Sequence, residues 1–325
     1  MRAWLIDELK GLDLLRLAEV PDPVPGKGEA LLQVSYAALN PADAYLAQGQ
    51  YPVHPAFPHI LGRDGMGTVV QAAAGSSLRE GDRCAILRGD VGGERWGTFA
   101  QKVVVPVESL VDIPRGWTDP EAAGATLVYL TAYQALTMWG PLPEKAVVLV
   151  TGASGGVGVA GVQLAAAMGY TVIGLSRNPA KSAKIKELGA TGVFDPQDRE
   201  WVKRVKTILG NRRVDVAIDN IGGTLLPEVI ATLGDLGRVS LVGRLAGPVP
   251  EFNTATLFFR RLRMGGVAVG AYTNAEARAA WLEVVRLLAA TGARPIVDHI
   301  FPFEQLPQAF ERLARGPMGK VLLQI

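Results

Sequence analysis

The sequence predicts an α/β protein that combines a doubly wound parallel sheet with a second, β-rich unit. Three observations support this class. Residues 1–120 read as short strands and turns, strand-like and helical runs alternate through 121–268, and a glycine-rich turn joins one of those strands to a helix. We assign 121–268 to the parallel-sheet domain, and 1–120 together with 269–325 to the β-rich domain.

The β-rich part is predicted from short apolar runs bounded by turn residues. Three runs are typical of strands, and two other segments carry the proline, glycine and acidic residues of turns: ALLQVSYAAL, GTVVQAA and FAQKVVVP, then PDPVPGKGE and LREGDR. The C-terminal run VLLQI is a further strand, which we expect to pair with this unit.

The alternating part begins with a helical stretch that ends near residue 140. The runs VVLV and TVIGLS then read as buried strands, each followed by a helical pattern, and VDVAIDNIGG and RVSLVG continue the alternation. Strands separated by helices indicate parallel βαβ units. Towards the C-terminus, AEARAAWLEVVRLLAATG predicts a long amphipathic helix.

Composition narrows the classes of partner and location. The chain has 325 residues, of which 49% are hydrophobic and 20% charged, and this length suits two domains with a sizeable core. The formal net charge is +2 and the basic residues are scattered, so neither nucleic acid nor a membrane surface is favoured as a partner. No apolar run approaches the roughly 20 residues of a membrane span, and MRAWLIDELKGLD does not read as a secretion signal. We expect a cytoplasmic protein.

The residues that usually bind transition metals are few. Cys84 is the single cysteine, which excludes an internal disulfide and a cysteine-cluster metal site. The three histidines, His54, His59 and His299, have no ligand spacing on a helix, and we interpret them as turn or surface residues. We therefore expect no metal ion.

The glycine-rich turn follows the strand at residues 147–150, in the sequence VVLVTGASGGVG. Ala153, Gly155 and Gly158 occupy the spaced positions of a G-x-G-x-x-G/A fingerprint, with alanine in the first position. Small residues there let the backbone turn sharply, approach a diphosphate and pack the following helix on the strand. The diphosphate of a dinucleotide would meet backbone N–H groups and the positive end of the helix dipole. We expect it to contact Ala153, Ser154, Gly155, Gly156, Val157 and Gly158.

The end of the next strand indicates which dinucleotide binds. NAD sites usually present an acidic residue to the ribose about 20 residues beyond the glycines. In TVIGLSRNPAK there is no acid, and Ser176, Arg177 and Lys181 follow the strand instead. An arginine fork and a lysine ammonium suit a 2′-phosphate, so the sequence predicts NADPH. The alternative is that Arg177 and Lys181 only solvate the start of a helix.

Several stretches, in the same order across nearly the whole chain, resemble the zinc-independent quinone oxidoreductases of the medium-chain dehydrogenase/reductase superfamily. They are ALNPADAYLAQGQYP (38–52), FPHILGRDGMGTVV (57–70), LVYLTAYQAL (127–136), VLVTGASGGVGVAGVQLA (148–165), DVAIDNIGG (215–223), GRVSLVG (237–243) and MGKVLL (318–323).

The resemblance implies a GroES-like catalytic domain around a Rossmann domain, assembled as a homodimer. It places Asn40 and Tyr45 beside the nicotinamide as catalytic residues, with Asp64 behind them. For the cofactor it adds Thr131, Asn220, Val242 and Gly243. Zinc-dependent relatives have a cysteine ligand where this chain has Asn40 and a histidine ligand where it has Arg63. The resemblance therefore agrees with the cysteine count that no metal polarises the substrate.

Together these observations favour NADPH-dependent transfer of hydride to a quinone or a similar conjugated carbonyl. In this hypothesis Asn40 orients the substrate or the nicotinamide, and Tyr45 donates a hydrogen bond to the substrate oxygen. Quinones accept hydride with little acid assistance, which suits a site without zinc. Two alternatives stay open: an NADPH-dependent reductase of enoyl thioesters or 2-alkenals, and a weakly catalytic NADPH-binding sensor.

Overall fold

The computed structural model describes residues 1–88, 91–247 and 253–325. The chain divides into two units. The first comprises Met1–Leu127, Val269–Trp281 and Arg294–Ile325, and the second comprises Val128–Ala268 and Leu282–Ala293. The domain boundaries at residues 120 and 268 stay a sequence-based prediction.

The N-terminal part of the first unit is mainly strands. Its strands are β1 (Arg2–Leu5), β2 (Arg16–Glu19), β3 (Glu29–Ala38), β4 (Gly65–Gln71), β5 (Arg83–Ile86), β6 (Lys102–Pro106) and β7 (Leu110–Asp112). A short helix α1 (Pro41–Ala47) lies between β3 and β4, and another, α2 (Asp119–Ala123), follows β7. This distribution agrees with the strands and turns predicted for the first third of the sequence.

Helices and strands alternate in the middle of the chain. In order they are α3 (Thr126–Thr137), β8 (Val147–Val150), α4 (Gly156–Ala167), β9 (Thr171–Leu175), α5 (Ser182–Glu187), β10 (Gly192–Phe194), α6 (Trp201–Leu209), β11 (Val214–Asp219), α7 (Leu226–Thr232), β12 (Leu233–Leu241), α8 (Ala255–Phe259) and β13 (Arg263–Gly266). The C-terminal part adds α9 (Asn274–Thr291), β14 (Val297–Pro302), α10 (Leu306–Ala314) and β15 (Lys320–Gln324).

The second unit is built on a six-stranded sheet in the order β10-β9-β8-β11-β12-β13, and every neighbouring pair is parallel. Residues 147–150 of the central strand β8 are fully buried, as the apolar run predicted. The strand order reverses direction between β8 and β11. In doubly wound sheets, ligands bind at the carboxyl ends of the strands at such a point. The predicted fold class is confirmed.

The first unit contains a seven-stranded sheet, ordered β14-β15-β3-β4-β5-β7, with β6 also paired to β3. Strand β15 runs antiparallel to β3, with Leu322 opposite Ala38. The predicted pairing of the C-terminal strand with the N-terminal unit is therefore confirmed. This pairing places Lys320 near the end of β3, a position that matters for the polar cluster described below.

The interpretation of His59 as a turn or surface residue is wrong. His59 is fully buried and forms an isolated bridge with Ile6, in which each backbone N–H donates to the other residue's carbonyl at 2.9 Å. Burial lowers the pKa of His59 to about 4. The proline-rich stretch around it hid this bridge, because a single bridge leaves no periodic pattern. His54 and His299 are exposed, in agreement with the prediction.

Within the described residues, none of the helices combines the length and apolar character needed to cross a bilayer.

Candidate active site

The glycine-rich turn connects β8 to α4 at the carboxyl edge of the parallel sheet. Gly152 has a φ of +57°, a backbone conformation that favours glycine. The Gly155 N–H donates to the Gly152 carbonyl at 2.9 Å, and the Ala153 N–H donates to the Leu175 carbonyl at 2.9 Å. These bonds close the turn and fix it to the end of β9. The helix begins at Gly156, after an extended Gly155.

Two glycines of the turn serve different purposes. A β-carbon at residue 158 would lie 2.1 Å from the Gly152 carbonyl oxygen, so only glycine fits the packing there. At residue 155 the closest atom would be that same oxygen at 3.5 Å, an ordinary contact. The protein itself therefore has room for a side chain at Gly155, and the missing side chain leaves space for a ligand. A helix N-terminus behind such a space suits a diphosphate, so the residues fit the predicted cofactor.

A buried polar network lies beside the turn, at the end of β11. The Thr151 hydroxyl donates to Asp219 Oδ1 at 2.7 Å, and Asp219 Oδ1 also accepts the N–H groups of Ile221 and Gly222 at 3.1 Å. Asn220 donates from Nδ2 to the Thr151 carbonyl at 2.7 Å. The network locks the loop after β11 to the loop after β8.

Asn220 has one polar side-chain atom that takes no part in this network. Its Oδ1 is buried and accepts no hydrogen bond from the residues that the structure describes. Such an acceptor calls for a donor that the chain does not provide, and the amide or hydroxyl groups of a dinucleotide would provide one. The predicted cofactor residue Asn220 thus lies at the expected edge with unused bonding capacity.

The neighbouring strand β12 supplies the remaining residues predicted from this edge. The N–H groups of Val242 and Gly243 donate to the Asp219 carbonyl at 2.9 and 3.2 Å. A β-carbon at Gly243 would lie 2.7 Å from the Asn220 carbonyl oxygen. The loops after β8, β11 and β12 are therefore in direct contact. Asp219 and Thr151 were not predicted from the sequence, although Asp219 is the last residue of β11 and Thr151 directly follows β8.

The basic residues follow β9, the strand whose end contacts the glycine turn. Ser176 is buried and its N–H donates to the Phe194 carbonyl at 3.0 Å, whereas Arg177 is exposed. The Asn178 side chain accepts the Ala180 N–H at 3.0 Å and fixes the turn that precedes Lys181. The structure thus brings Ser176, Arg177 and Lys181 to one loop. The last predicted cofactor residue, Thr131, is partly buried on α3.

A second buried polar cluster lies in the first unit. The Lys320 ammonium donates to Asn40 Oδ1 at 2.7 Å, to the Leu39 carbonyl at 3.0 Å and to Asp64 Oδ2 at 3.1 Å. Asp64 also accepts from the Thr126 hydroxyl at 3.2 Å. Complete burial raises the pKa of Asp64, and the Lys320 charge opposes that rise. Sequence reasoning missed Lys320, whose only indication was a lysine among the apolar residues of the last strand.

Asn40 uses nearly all of its bonding capacity inside the protein. Its Nδ2 donates to the Ala38 carbonyl at 3.2 Å and to Asp64 at 3.5 Å, and its backbone N–H donates to Asp43 Oδ2 at 2.9 Å. The last of these bonds fixes the start of α1, the helix that carries Tyr45. Tyr45 is partly buried. Asn40 and Asp64, predicted as catalytic residues, therefore lie together, and both hold the elements around them.

Arg63 and Asp43 complete the cluster. Arg63 Nε lies 3.5 Å from Asp43 Oδ1, and the guanidinium lies 4.5 Å from the centre of the Tyr51 ring. Only 8% of the Arg63 side chain is exposed. Burial raises the pKa of Asp43, and the Arg63 charge opposes that rise. The cluster contains two acids and two bases, so its formal charges balance.

These residues do not fit a zinc ion. The Asn40 oxygen faces an ammonium group, and Arg63 is itself a cation with no lone pair to offer a metal. Across 1–88, 91–247 and 253–325, His, Cys, Asp and Glu side chains form no group of three or more that could hold a metal ion.

Comparison with known proteins defines the class to which this fold and site belong. The model for an alcohol dehydrogenase GroES-like domain matches residues 26–115, and the model for a zinc-binding dehydrogenase matches residues 156–290. The chain is therefore a two-domain dehydrogenase or reductase.

Individual relatives narrow the class. The chain is 27% identical to pig quinone oxidoreductase over 99% of its own length and 97% of that protein. It is 30% identical to the human synaptic vesicle membrane protein VAT-1 homolog, over 99% of its own length and 86% of that protein. The structure of the mycobacterial protein Rv1454c complexed with NADPH is similar over the full length of both chains, with a TM-score of 0.90 and 27% identity. The chain belongs to the quinone oxidoreductase branch of the medium-chain dehydrogenase/reductase superfamily, and it is an oxidoreductase.

The membership confirms the resemblance to the quinone oxidoreductase branch and the fold inferred from the sequence, whereas independence of zinc stays a prediction. The individual site residues stay predictions, because none of these comparisons tests what a given side chain does.

Proposed function

We propose that this protein is an NADPH-dependent reductase that transfers hydride, without a metal ion, to a quinone or a similar conjugated carbonyl. The observation that carries the proposal is the turn from Gly152 to Gly158, which is closed by its own hydrogen bonds and still leaves room at Gly155 for a diphosphate. A turn of this form has no structural need for a small residue at Gly155.

The cofactor supplies the hydride when it is bound. The chain therefore has to bind and orient the cofactor and the acceptor, and to exclude water from them. The prediction of NADPH is confirmed by the NADPH complex of Rv1454c. In this chain, the turn holds the diphosphate and Asn220 Oδ1 accepts a hydrogen bond from the cofactor. Arg177 and Lys181 bind the 2′-phosphate from the loop after β9, whose end is hydrogen-bonded to the turn.

On the acceptor side, Tyr45 donates a hydrogen bond to the substrate oxygen. Asn40 and Asp64 act by holding α1 and β15 in place, since their polar atoms are occupied within the protein. The buried ammonium of Lys320 donates to the side-chain oxygens of Asn40 and Asp64, whose lone pairs a metal would need. The proposed reaction therefore needs no metal ion, and quinones suit it because they accept hydride with little acid assistance.

One experiment separates the acceptor classes. NADPH oxidation is followed at 340 nm with quinones, 2-alkenals, enones and enoyl thioesters, and each acceptor is repeated with NADH. We expect turnover with quinones and a clear preference for NADPH. Activity confined to alkenals or enoyl thioesters would select the enoyl reductase alternative. NADPH binding without turnover of any acceptor would select the sensor alternative.

We further propose that the protein forms a homodimer through the edge of the parallel sheet. Among the described residues, strand β13 pairs with β12 alone, and the preceding helix α8 exposes two adjacent aromatic rings tilted against each other, Phe258 and Phe259, at 63% and 79%. An unpaired strand edge beside exposed apolar side chains is suited to pairing with a second copy. Light scattering should give the mass of a dimer for the wild type and of a monomer for Phe259→Glu. A monomeric wild type would contradict the proposal.

A further inference from the structure

Arg63 is the one group of the buried cluster in the first unit whose hydrogen-bond donors are left unused. Its Nη2 atom is buried and has no acceptor among the described residues, whereas its Nε lies 3.5 Å from Asp43 Oδ1, an oxygen that accepts no other hydrogen bond there. A guanidinium carries five N–H donors, and buried donors are nearly always satisfied in folded proteins. The exception calls for an acceptor that comes from outside the chain.

The neighbours of Arg63 do not supply that acceptor. Within the part of the chain that the structure describes, Asp43 is the only carboxylate paired with Arg63, at 3.5 Å through Nε, and its other oxygen accepts the Asn40 backbone N–H. Asp64 is bonded to Lys320 and Thr126. The Tyr51 ring offers only a face to the guanidinium. The Nη2 edge of Arg63 is therefore turned to none of the cluster's acceptors.

Charge balance indicates what kind of oxygen this edge would receive. Asp43, Asp64, Arg63 and Lys320 cancel formally, so a ligand with a full negative charge would leave the buried cluster with a net charge. A neutral carbonyl oxygen would leave the formal charges of the cluster balanced. An oxygen that becomes negative only during the reaction would be stabilised by the guanidinium at that moment.

We propose that Arg63 is a catalytic residue of the first unit, which donates a hydrogen bond from its guanidinium to the carbonyl oxygen of a neutral hydride acceptor. This inference rests on the proposed function. In the step it assists, the acceptor gains two electrons and one hydrogen nucleus as hydride, with oxidation of NADPH to NADP⁺. The hydride forms a new C–H bond at a carbon of the conjugated system, the C=O π bond opens, and its oxygen becomes an anion that accepts a hydrogen bond from Arg63. A proton from water then neutralises the anion and leaves hydroxide. Tyr45 assists the same oxygen and is not its only donor.

Arg63→Met and Arg63→Ala test the proposal with a neutral quinone as acceptor. We expect kcat/KM to fall by about 100-fold, the usual effect of removing one donor to a developing oxyanion. The dissociation constant of NADPH, measured by fluorescence, should stay unchanged. Added guanidinium ion should restore activity to Arg63→Ala in proportion to its concentration, since it replaces the missing group. Arg95→Met, which removes an exposed arginine paired with Glu29, is the matched control.

Full activity in Arg63→Met, or a loss of activity in Arg63→Ala that guanidinium does not restore, would overturn the proposal. Arg63 would then be only the counter-ion of Asp43. If Arg63→Met does not fold because Asp43 is left unpaired, the double variant Asp43→Asn/Arg63→Met, which removes both charges, takes its place. It should show the same loss of kcat/KM and an unchanged dissociation constant of NADPH. Failure of the proposed function is a separate outcome, in which the wild type itself oxidises no NADPH with any acceptor.

Discussion

The carbonyl oxygen of Gly152 lies 2.1 Å from the position that a β-carbon on residue 158 would occupy. The turn before α4 is thus packed against its own helix, and the strand, the turn and the helix are fixed as one element. This packing holds the first N–H groups of α4 in place before any ligand binds. Preorganised donors of this kind bind an anion without the cost of ordering the loop.

Gly158→Ala and Gly155→Ala should therefore differ in kind. At 158 the added methyl group collides with backbone, and we expect a loss of about 1–3 kcal/mol in unfolding free energy together with weaker NADPH binding. At 155 the methyl group meets only an ordinary contact, so stability should hold while NADPH affinity falls about tenfold. Chemical denaturation and fluorescence titration measure the two effects. Unchanged NADPH affinity in Gly155→Ala would place the diphosphate elsewhere.

The basic loop after β9 should decide between the two nicotinamide cofactors. Arg177→Ala combined with Lys181→Ala should raise the KM for NADPH by about tenfold or more and leave the KM for NADH unchanged, because only NADPH carries the 2′-phosphate. The effect should shrink at high salt, which screens an exposed arginine. Lys184→Ala, an exposed lysine paired with Glu187 on α5, serves as the control. Equal losses for both cofactors would indicate a general effect on folding.

Tyr45→Phe separates the acceptor classes through their need for a hydrogen-bond donor. We expect kcat/KM to fall by about tenfold for an enone and by less for a quinone, since hydride transfer to an enone leaves a more basic oxygen. Steady-state kinetics with matched acceptors measures the difference. Tyr36→Phe, on β3 of the same unit, is the control. An unchanged kcat/KM for every acceptor would remove Tyr45 from the mechanism.

Stability should depend on pH through the buried imidazole of His59. Its pKa is lowered from 6.5 to about 4 in the folded protein, so between these values the unfolded chain binds a proton that the folded chain does not. The contribution of neutral His59 to the free energy of unfolding is fully present above pH 6.5. It is lost as the pH falls towards 4, by about 3 kcal/mol in total. Denaturation of the wild type and of His59→Gln at several pH values measures it. His54→Gln, an exposed histidine, should show the wild-type dependence, and an equally steep dependence in His59→Gln would refute the assignment.

The parallel sheet and the glycine turn at its carboxyl edge could be predicted from the sequence because their cause is local. A buried apolar run, a turn of small residues and a small-residue helix follow one another within about 20 residues, and each restricts the backbone directly. The basic residues after β9 could be predicted from the sequence for the same reason. Val147–Val150 and Gly158 show in the structure the burial and the close contact that these patterns indicated.

The polar cluster of the first unit could not be predicted in this way. Lys320 is 280 residues from Asn40 in the chain, and the two meet only because β15 pairs with β3. The sequence predicted that the last strand pairs with the N-terminal unit, but it gave neither the partner strand nor the register, and the register decides which side chain reaches Asn40. Arg63 was visible only as a departure from the zinc-dependent relatives. Its unused donors emerged from the positions of Asp43 and Asp64, which are properties of tertiary structure.

In the function proposed above, this chain transfers hydride from NADPH to a conjugated carbonyl without a metal ion. The most direct measurement is oxidation of NADPH by a neutral quinone after the protein has been treated with a strong chelator, with NADPH carrying hydrogen or deuterium at C4 of the nicotinamide. We expect one NADPH consumed for each quinone reduced, a slower rate with deuterium and no loss of rate after chelation. No oxidation of NADPH by any quinone, or activity that disappears on chelation and returns with zinc, would contradict the claim.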